Sequence, residues 1–414
     1  MEIRPFKGYR PIPELAAKVA LLPNNLLNEP DRKRAVRTNP YSFGHIVKPR
    51  LNFPDDVAKT DQQIFDFARE YFEKLLKEGV IIRDLIPCLY VYRMTMDERS
   101  QTGLICCMNI RDYDEGKIKK HENTRAEKEL ENEIHIENTK LNSNPVFLAY
   151  RPVPEIDELI NKVTAQKPDY DFYSEFGVEE NLWIIRDKET IDKFTMQFAE
   201  KVNAAYIADG HHRAAASSSY SKKIHEQHPD PGLPKDYDYF LTCLFPSDQL
   251  KIYDYNRIVK SLDGLDEKNL LKKISEKFEV EPAIRVPYDP RKPHRFGMFI
   301  NGKWYRLKAK EGTYENDPIS LLDVSILQNN LLEPTLGIHD PRTDKNIDFI
   351  PGVKGLKELE RRVMKGRAAI AFSLYPVTME QLFTVSDAGE VMPPKSTWFE
   401  PKLLSGLVVF RMEF

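Results

Sequence analysis

Five consecutive residues, Asp209-Gly210-His211-His212-Arg213, carry the densest chemistry in the chain. They follow the apolar run Ala205-Tyr206-Ile207-Ala208 and precede Ala214-Ala215-Ala216-Ser217-Ser218-Ser219. This order predicts a buried strand that stops at an acid, turns on glycine and opens a closely packing helix. Such an opening suits an anion. The first backbone N–H groups of a helix have no partner within it and carry a positive partial charge. Arg213 adds a planar fork of donors matched to phosphate. His211 and His212 can donate hydrogen bonds and, when protonated, charge. Asp209 can take a proton or hold a magnesium ion. A purely local reading also exists, in which Asp209 caps the helix and Arg213 pairs with a nearby acid. That reading has to account for five such residues in a row.

A second cluster is His121-Glu122-Asn123-Thr124-Arg125, after the turn-rich Asp112-Tyr113-Asp114-Glu115-Gly116. Glu122 and Arg125 stand at i, i+3, so a salt bridge on a helix is the plain alternative to a functional role. A third is Lys395-Ser396-Thr397, behind Met392-Pro393-Pro394. Its residue types suit phosphate, but it lacks the flanking glycines of a Walker A loop. Arg257, after Tyr255-Asn256, and Arg93 are further single cations. Asp340-Pro341-Arg342-Thr343-Asp344 is a polar loop with a weaker signal. Zinc is disfavoured: adjacent histidines point apart on a helix or strand, and there is no His-Glu-x-x-His or cysteine pair. No GxGxxG opens a helix and no GxSxG elbow occurs, so neither a Rossmann site nor an α/β-hydrolase has support.

These residues need elements to hold them. Leu15–Ala20 reads as a helix after a proline start. Residues 61–79 form an amphipathic helix by the spacing of Ile64, Phe67, Ala68, Tyr71, Leu75 and Leu76, with Gly79 at the C-terminal cap position. Cys88–Met94 and Gly103–Asn109 read as strands buried on both faces. Residues 115–140, dense in Glu, Lys and Asn, read as a long solvated helix opening at the His121 cluster. Val146–Tyr150, Asn181–Ile185 and Tyr239–Phe245 read as strands. Residues 156–163, 189–204, 214–220 and 266–278 read as helices, and 222–237 as a polar loop. Asn301-Gly302 marks a β-hairpin. Ala368–Leu374 reads as a strand, with a helix starting at Met379.

The chain has 414 residues, enough for two to four domains or one large α/β body. Apolar residues make up 41%, which supports a real core. Lys and Arg number 61 against 64 Asp and Glu, a net charge of −3, so the chain as a whole lacks the basic footprint of a nucleic-acid binder. No apolar run reaches the ~18 residues of a membrane helix, and the N-terminus has no signal-peptide pattern. The four cysteines show neither metal spacing nor a disulfide framework. A cytoplasmic location, with no membrane or nucleic-acid partner, is expected.

Five motifs occur in order: Pro5-Phe6-Lys7-Gly8-Tyr9-Arg10-Pro11, Asp112-Tyr113 to His121-Glu122-Asn123-Thr124, Ala208 to Arg213, Leu336-Gly337-Ile338-His339-Asp340, and Lys395-Ser396-Thr397-Trp398-Phe399-Glu400-Pro401-Lys402. In this the chain resembles, from about residue 3 to residue 411, a large prokaryotic family known as domain of unknown function 1015. The Asp-Gly-His-His-Arg segment is also similar to the phosphate loop of the ParB/sulfiredoxin superfamily, which includes free-serine kinases. The resemblance implies an α/β (α+β) fold with a ParB/sulfiredoxin-like core, mixed sheets and large helical and C-terminal additions. It implies phosphorylation of free L-serine to O-phospho-L-serine, with inorganic pyrophosphate as donor. An ATP- or ADP-dependent kinase of a small hydroxy compound, or a nucleotide- or DNA-binding ParB-like module, is the alternative. A catalytic region over 1–250 and a C-terminal region over 251–414 that returns Lys395–Lys402 to the site are expected. Asp209, His211 and Glu14 are expected to be catalytic, with Asp209 as first choice of base and of magnesium ligand. Gly210, His212, Arg213, Arg93, His121, Glu122, Thr124, Arg125, Arg257, Lys395, Ser396 and Thr397 are expected to bind phosphate or substrate. One departure stands out. Many family members carry Pro-Pro-Tyr-Asp where this chain has Leu22-Pro23-Asn24-Asn25-Leu26, and Glu14 and Glu29 are the nearest acids.

Overall fold

The structure, a computed structural model, describes residues 1–22, 29–54, 56–58, 61–174, 177–229, 232 and 234–413. The Pro23–Leu26 departure lies outside the described residues. The protein is a mixed α/β chain of two units, Met1–Leu250 with Pro401–Phe414, and Lys251–Glu400. Sequence reading kept 251–414 together. Instead the last segment rejoins the first unit, where Phe410–Arg411 pairs with Leu141–Asn142, and Val409 and Ser405 bridge to Tyr9 and Leu21.

The first unit is organised by a nine-stranded sheet among the described residues. Its strands run in the order Ile118–Lys119, Ala205–Asp209, Val146–Tyr150, Tyr239–Pro246, Arg99–Asn109, Leu89–Met96, Glu179–Ile185 and Tyr170–Tyr173, with Ile3–Arg4 also on the Arg99–Asn109 strand. Central strands such as Val146–Tyr150 and Tyr239–Pro246 are buried throughout, which is why they read as continuous apolar runs and not as alternation. One core gathers Leu104, Leu148, Ile207 and Leu244 of the sheet with Ile156, Ile160, Phe194 and Phe198 of the helices Pro154–Thr164 and Lys188–Lys201. A second core joins Phe72 and Leu75 of the helix Gln62–Lys77 to Tyr9, Phe43 and Val409. All four cysteines are buried free thiols. No helix of the described residues is long and apolar enough to cross a membrane.

The second unit holds a six-stranded sheet in which every pairing is antiparallel. Ile258, Phe299, Trp304, Ile350 and Leu359 pack its core. The Asn301-Gly302 hairpin is present, with both residues at positive φ (48° and 77°) as a tight two-residue turn requires.

Three local expectations are corrected. The stretch 115–140 is not one helix: Ile118–Lys119 is a short strand parallel to Ala205-Tyr206, His121–Thr124 is a loop, and the helix runs only over Ala126–Thr139. A sheet edge captures these two residues and buries Ile118, and this overrides the helical composition. The helix after Gly210 extends from His211 to Gln227, into the first part of the expected polar loop over 222–237. Leu15–Ala20 yields a 3-10 turn at Pro13–Leu15 and a single helical turn at Ala16–Val19.

Candidate functional site

The Ala205–Asp209 strand delivers the site through an irregularity. It pairs antiparallel with Val146–Tyr150, Tyr206 facing Ala149 and Ile207 facing Leu148. The register then shifts so that Asp209 faces Phe147. On a regular strand Asp209 would share the face of Ala205 and Ile207, which is core. The extra residue re-aims it, as bulges beside functional groups do. Gly210 then turns the chain at φ 103° and opens the helix. A Cβ there would be strained by that φ and would lie 2.8 Å from Arg213 Nη2, because the guanidinium folds back over the turn.

Asp209 is half-buried. Its side chain keeps 36% of its surface in water, yet protein crowds it closely enough that burial alone would raise its carboxyl. Two cations outweigh that burial. Lys402 Nζ lies 3.3 Å from Oδ1 and Arg213 Nη2 donates to Oδ2 at 2.9 Å, holding the carboxyl down to about 2. Lys402 comes from the returning C-terminal segment and is itself buried. Arg213 Nη1 donates to the carbonyls of Asn144 and Pro145 and to Asn144 Oδ1. Asn144 in turn donates to Ser405 Oγ at 2.6 Å. One carboxylate thus ties a strand end, a helix start, the chain before Val146 and the C-terminal segment together.

The histidines join the turn to the His121 loop. His121 N–H approaches His211 Nε2 at 3.5 Å, and the two rings meet edge to face at 4.6 Å. Arg125 N–H donates to His212 Nε2 at 3.1 Å. His211 therefore uses Nε2 as an acceptor. Burial, and then the charges around it, hold it well below the usual imidazole range. Burial likewise draws His121 down to about 4. The expectation that the paired histidines supply donors and positive charge meets a different arrangement, in which His211 is neutral and both Nε2 atoms receive backbone N–H groups. Glu122 and Thr124 lie half-buried in the same loop. Because that loop is not helical, the i, i+3 argument for Glu122 and Arg125 does not apply.

Other expected residues lie elsewhere. Arg93 is on the Leu89–Met96 strand, where it donates to Thr102 Oγ1 at 3.1 Å and stacks on Trp183. Four strand spacings separate that strand from Ala205–Asp209, roughly 19 Å. Arg93 is therefore not brought to the turn. Glu14 is exposed on the Pro13–Leu15 turn, and Glu29 starts the helix Glu29–Thr38. Arg257, Lys395, Ser396 and Thr397 belong to the second unit. There Arg257 is buried against the Phe349 ring, donates to the carbonyls of Tyr255 and Pro394, and is lowered to about 10 by burial. Ser396 Oγ donates to Pro393 O at 2.6 Å, and Lys395 lies 5.8 Å from the Tyr255 ring centroid. Lys402, the last residue of the same sequence motif, is the lysine that reaches Asp209. A cavity of about 630 Å³ in the second unit, lined among others by Ala283, Val286, Trp304 and Met364, includes none of the selected residues.

A magnesium ion held by Asp209 does not fit these residues. Each carboxylate oxygen already faces a cation. Among the described residues no group of three or more His, Cys, Asp or Glu side chains is placed to hold a metal. The role of Asp209 as base is likewise disfavoured: a carboxyl near 2 is far from the pKa that makes proton abstraction efficient at neutral pH.

Fold and site together define a mixed α/β protein with a cation-braced carboxylate at a strand–helix turn. The chain belongs to the family described as "Protein of unknown function (DUF1015)", whose pattern matches residues 3–325. No curated protein matches it. Among solved structures it is similar to a mutant free serine kinase in complex with AMP, at 14% identity and a TM-score of 0.36, over 73% of this chain and 92% of that one. A conserved hypothetical protein from Pyrococcus furiosus aligns at 14% identity and a TM-score of 0.35, over 73% and 94%. A C-terminally truncated SbnI from Staphylococcus aureus aligns at 10% identity and a TM-score of 0.37, over 73% and 85%.

Proposed function

We propose that the protein is a small-molecule phosphotransferase that converts free L-serine to O-phospho-L-serine with inorganic pyrophosphate as donor. The observation that carries this reading is the turn at Asp209–Arg213. It combines a helix start, two cations fixed on one carboxylate, and a lock onto the His121 loop through His211 and His212. Phosphoryl transfer asks the protein mainly for positioning and for fixed positive charge. The N–H groups at the start of the His211–Gln227 helix receive the transferring phosphoryl group. Lys402 and Arg213 give the turn a net positive charge that does not titrate near neutrality. Asp209 acts as a positioning residue that holds both cations, and the serine proton goes to another carboxylate. Glu122, in the loop locked to the histidines, is one acceptor, and Glu14 is the other. Any magnesium ion would be carried by the donor's phosphate oxygens and water, since both oxygens of Asp209 already face cations.

The test is a donor screen on the full chain. Free serine is incubated with pyrophosphate, ADP or ATP, with and without EDTA, and the product is identified by phosphorus NMR and mass. Phosphoserine with pyrophosphate is the expected product. Phosphoserine with ADP or ATP alone would move the donor assignment, and no phosphoserine with any donor would end the proposal. Glu122→Gln and Glu14→Gln then separate the acceptors: loss of turnover with substrate affinity retained marks the base.

A further inference from the structure

We propose that the cavity of the second unit binds a small organic amine with an apolar body, with Glu360 as its anionic partner. Alternation along the strand Lys303–Ala309 sends Trp304 to one face of the six-stranded sheet and Lys303 and Tyr305 to the other. On that other face the Tyr305 hydroxyl donates to Glu267 at 2.7 Å, and the Lys303 charge acts on the same carboxylate. Trp304 shares a core with Phe299 and with Leu359 of the helix Leu356–Met364. Its ring meets Phe299 at 5.2 Å between centroids, and Gly297 leaves it room, since a Cβ there would stand 2.9 Å from the indole. Glu360 and Met364 are one helical turn apart and so share a face. Met364 reaches the Asn301-Gly302 turn, its Sδ 4.0 Å from where a Gly302 Cβ would stand. Ala283 and Val286, just after the edge strand Phe278–Pro282, close the remaining side of the cavity. Its volume of about 630 Å³ falls within the range of small-molecule sites, roughly 300–1,000 Å³. Val286 and Met364 keep 61% and 69% of their surface in water, apolar area that an occupant would cover.

The charge on this wall is one-sided. The helix Leu356–Met364 carries Glu358 and Glu360 beside Arg361 and Arg362. Both arginines turn to Glu358, Arg361 through Nε and Nη2 at 2.5 and 2.6 Å and Arg362 through Nε at 2.7 Å. Glu360 is left without a cation among the described residues. Its Oε1 accepts the Trp304 indole N–H at 2.8 Å, which fixes the carboxylate at the cavity wall, and Oε2 has no partner among the described residues. A half-buried carboxylate with one unspent oxygen, set among apolar and aromatic side chains, selects a positively charged donor over an anion. Lys303, the cation that borders the cavity, cannot serve an anion there because its side chain turns to the opposite face. Phe299, Val286 and the Met364 thioether take up an apolar body, and the indole is the ring that attracts an ammonium most strongly. The site shares no residue with the Asp209 turn, so it stands whether or not the protein transfers phosphate.

The test is calorimetric titration of the full chain with phenethylamine, and with phenylpropionate as a control of like size and opposite charge. Tryptophan fluorescence, followed in parallel, reports contact with the indole. Phenethylamine should bind and shift the emission, and phenylpropionate should do neither. Glu360→Gln keeps an oxygen for the Trp304 N–H, so the fold should hold while affinity for the amine falls roughly tenfold, the cost of one charge-assisted hydrogen bond. Met364→Ala, at an exposed position, should weaken the amine severalfold by removing one apolar wall. Three results overturn the proposal: no binding of phenethylamine by the parent, equal binding of phenylpropionate, or a Glu360→Gln protein that melts like the parent and binds the amine equally well. Where Glu360→Gln does not fold, Met364→Ala decides, and an unchanged affinity for the amine overturns the proposal as well.

Discussion

Replacing Lys402 with methionine isolates the contact on which the site's construction depends. The ammonium lies 3.3 Å from Asp209 Oδ1, where two unit charges in an effective dielectric of about 20 attract by about 5 kcal/mol. That gross figure is offset, because a buried lysine and a recessed carboxylate both lose water to form the pair. Removing one partner of a buried pair typically costs ~3–5 kcal/mol. Here Asp209 keeps Arg213, and 36% of its side chain meets water, so the expected loss is discounted to about 2 kcal/mol. For a unit of this size that corresponds to a melting shift of roughly 4–8 °C. Methionine keeps the unbranched, apolar stem, so packing changes little. Calorimetric melting at pH 7 measures the shift, and carboxyl NMR follows Asp209, whose midpoint should rise from about 2 toward or above the usual carboxylate value. Lys395→Met is the control. That lysine is exposed beside Tyr255, and its loss should move neither quantity. A Lys402→Met protein that melts within 1 °C of the parent, with Asp209 still near its parent midpoint, would refute the four-way tie.

Gly210→Ala should be more damaging than its size implies. The new methyl must occupy φ 103° and meets the Arg213 guanidinium at 2.8 Å, so strain of about 1–3 kcal/mol should accompany loss of the Asp209–Arg213 bond, read by denaturant unfolding. Glu180 is fully buried, accepts from Tyr92 at 2.5 Å and Ser174 at 2.6 Å, and is raised to about 7 by burial. An acid raised on folding stabilises below its unfolded pKa and loses that contribution as pH climbs through 7. Glu180→Gln should therefore gain about 3 kcal/mol relative to the parent between pH 4.5 and 8, and a pH-independent difference would count against the buried acid. His121 has the opposite sign: lowered to about 4, its contribution is complete above 6.5 and is lost as pH falls toward 4. Its ring nitrogens should show no titration between pH 8 and 5.5 by nitrogen NMR, with His211 protonated at Nδ1; a His121 midpoint near 6.5 would contradict the packing.

Local signals carried much of the fold. The helix over Gln62–Lys77 follows from its apolar spacing and an Asp61 cap on Gln63 N–H, and the Asn301-Gly302 hairpin follows from its turn chemistry. The strand–glycine–helix at Asp209 was legible for the same reason, since every cue lies within a dozen residues. What failed was non-local. The motif is expected to return Lys395–Lys402 to the site, with Lys395 favoured because it stands beside Ser396 and Thr397; it is the last residue of that motif, Lys402, that reaches Asp209, across a separation of 193 residues. The bulge that re-aims Asp209 depends on pairing with Val146–Tyr150, and the loop at His121 depends on an edge strand that residues 115–125 cannot reveal alone. Arg93 looked available because a sequence does not show which strands are neighbours.

The source of positive charge is where this structure departs most from the motif's appearance. Two adjacent histidines beside an arginine read as a cluster whose charge would grow as pH falls through the imidazole range. In the folded chain burial keeps His121 neutral, burial and neighbouring charges keep His211 so, and the Nε2 atoms of His211 and His212 are spent on backbone N–H groups. Positive charge comes instead from an ammonium and a guanidinium pinned by a carboxylate that stays ionised down to about 2. Fixed charge of this kind loses no binding energy to protonation and needs no reorganisation when an anion arrives, which is the condition under which electrostatic stabilisation is most effective. The histidines are then better understood as the joint between the helix start and the His121 loop than as acid–base groups. In that role either one can be replaced by a residue that keeps an acceptor at the Nε2 position, whereas a residue that keeps only the charge cannot take its place.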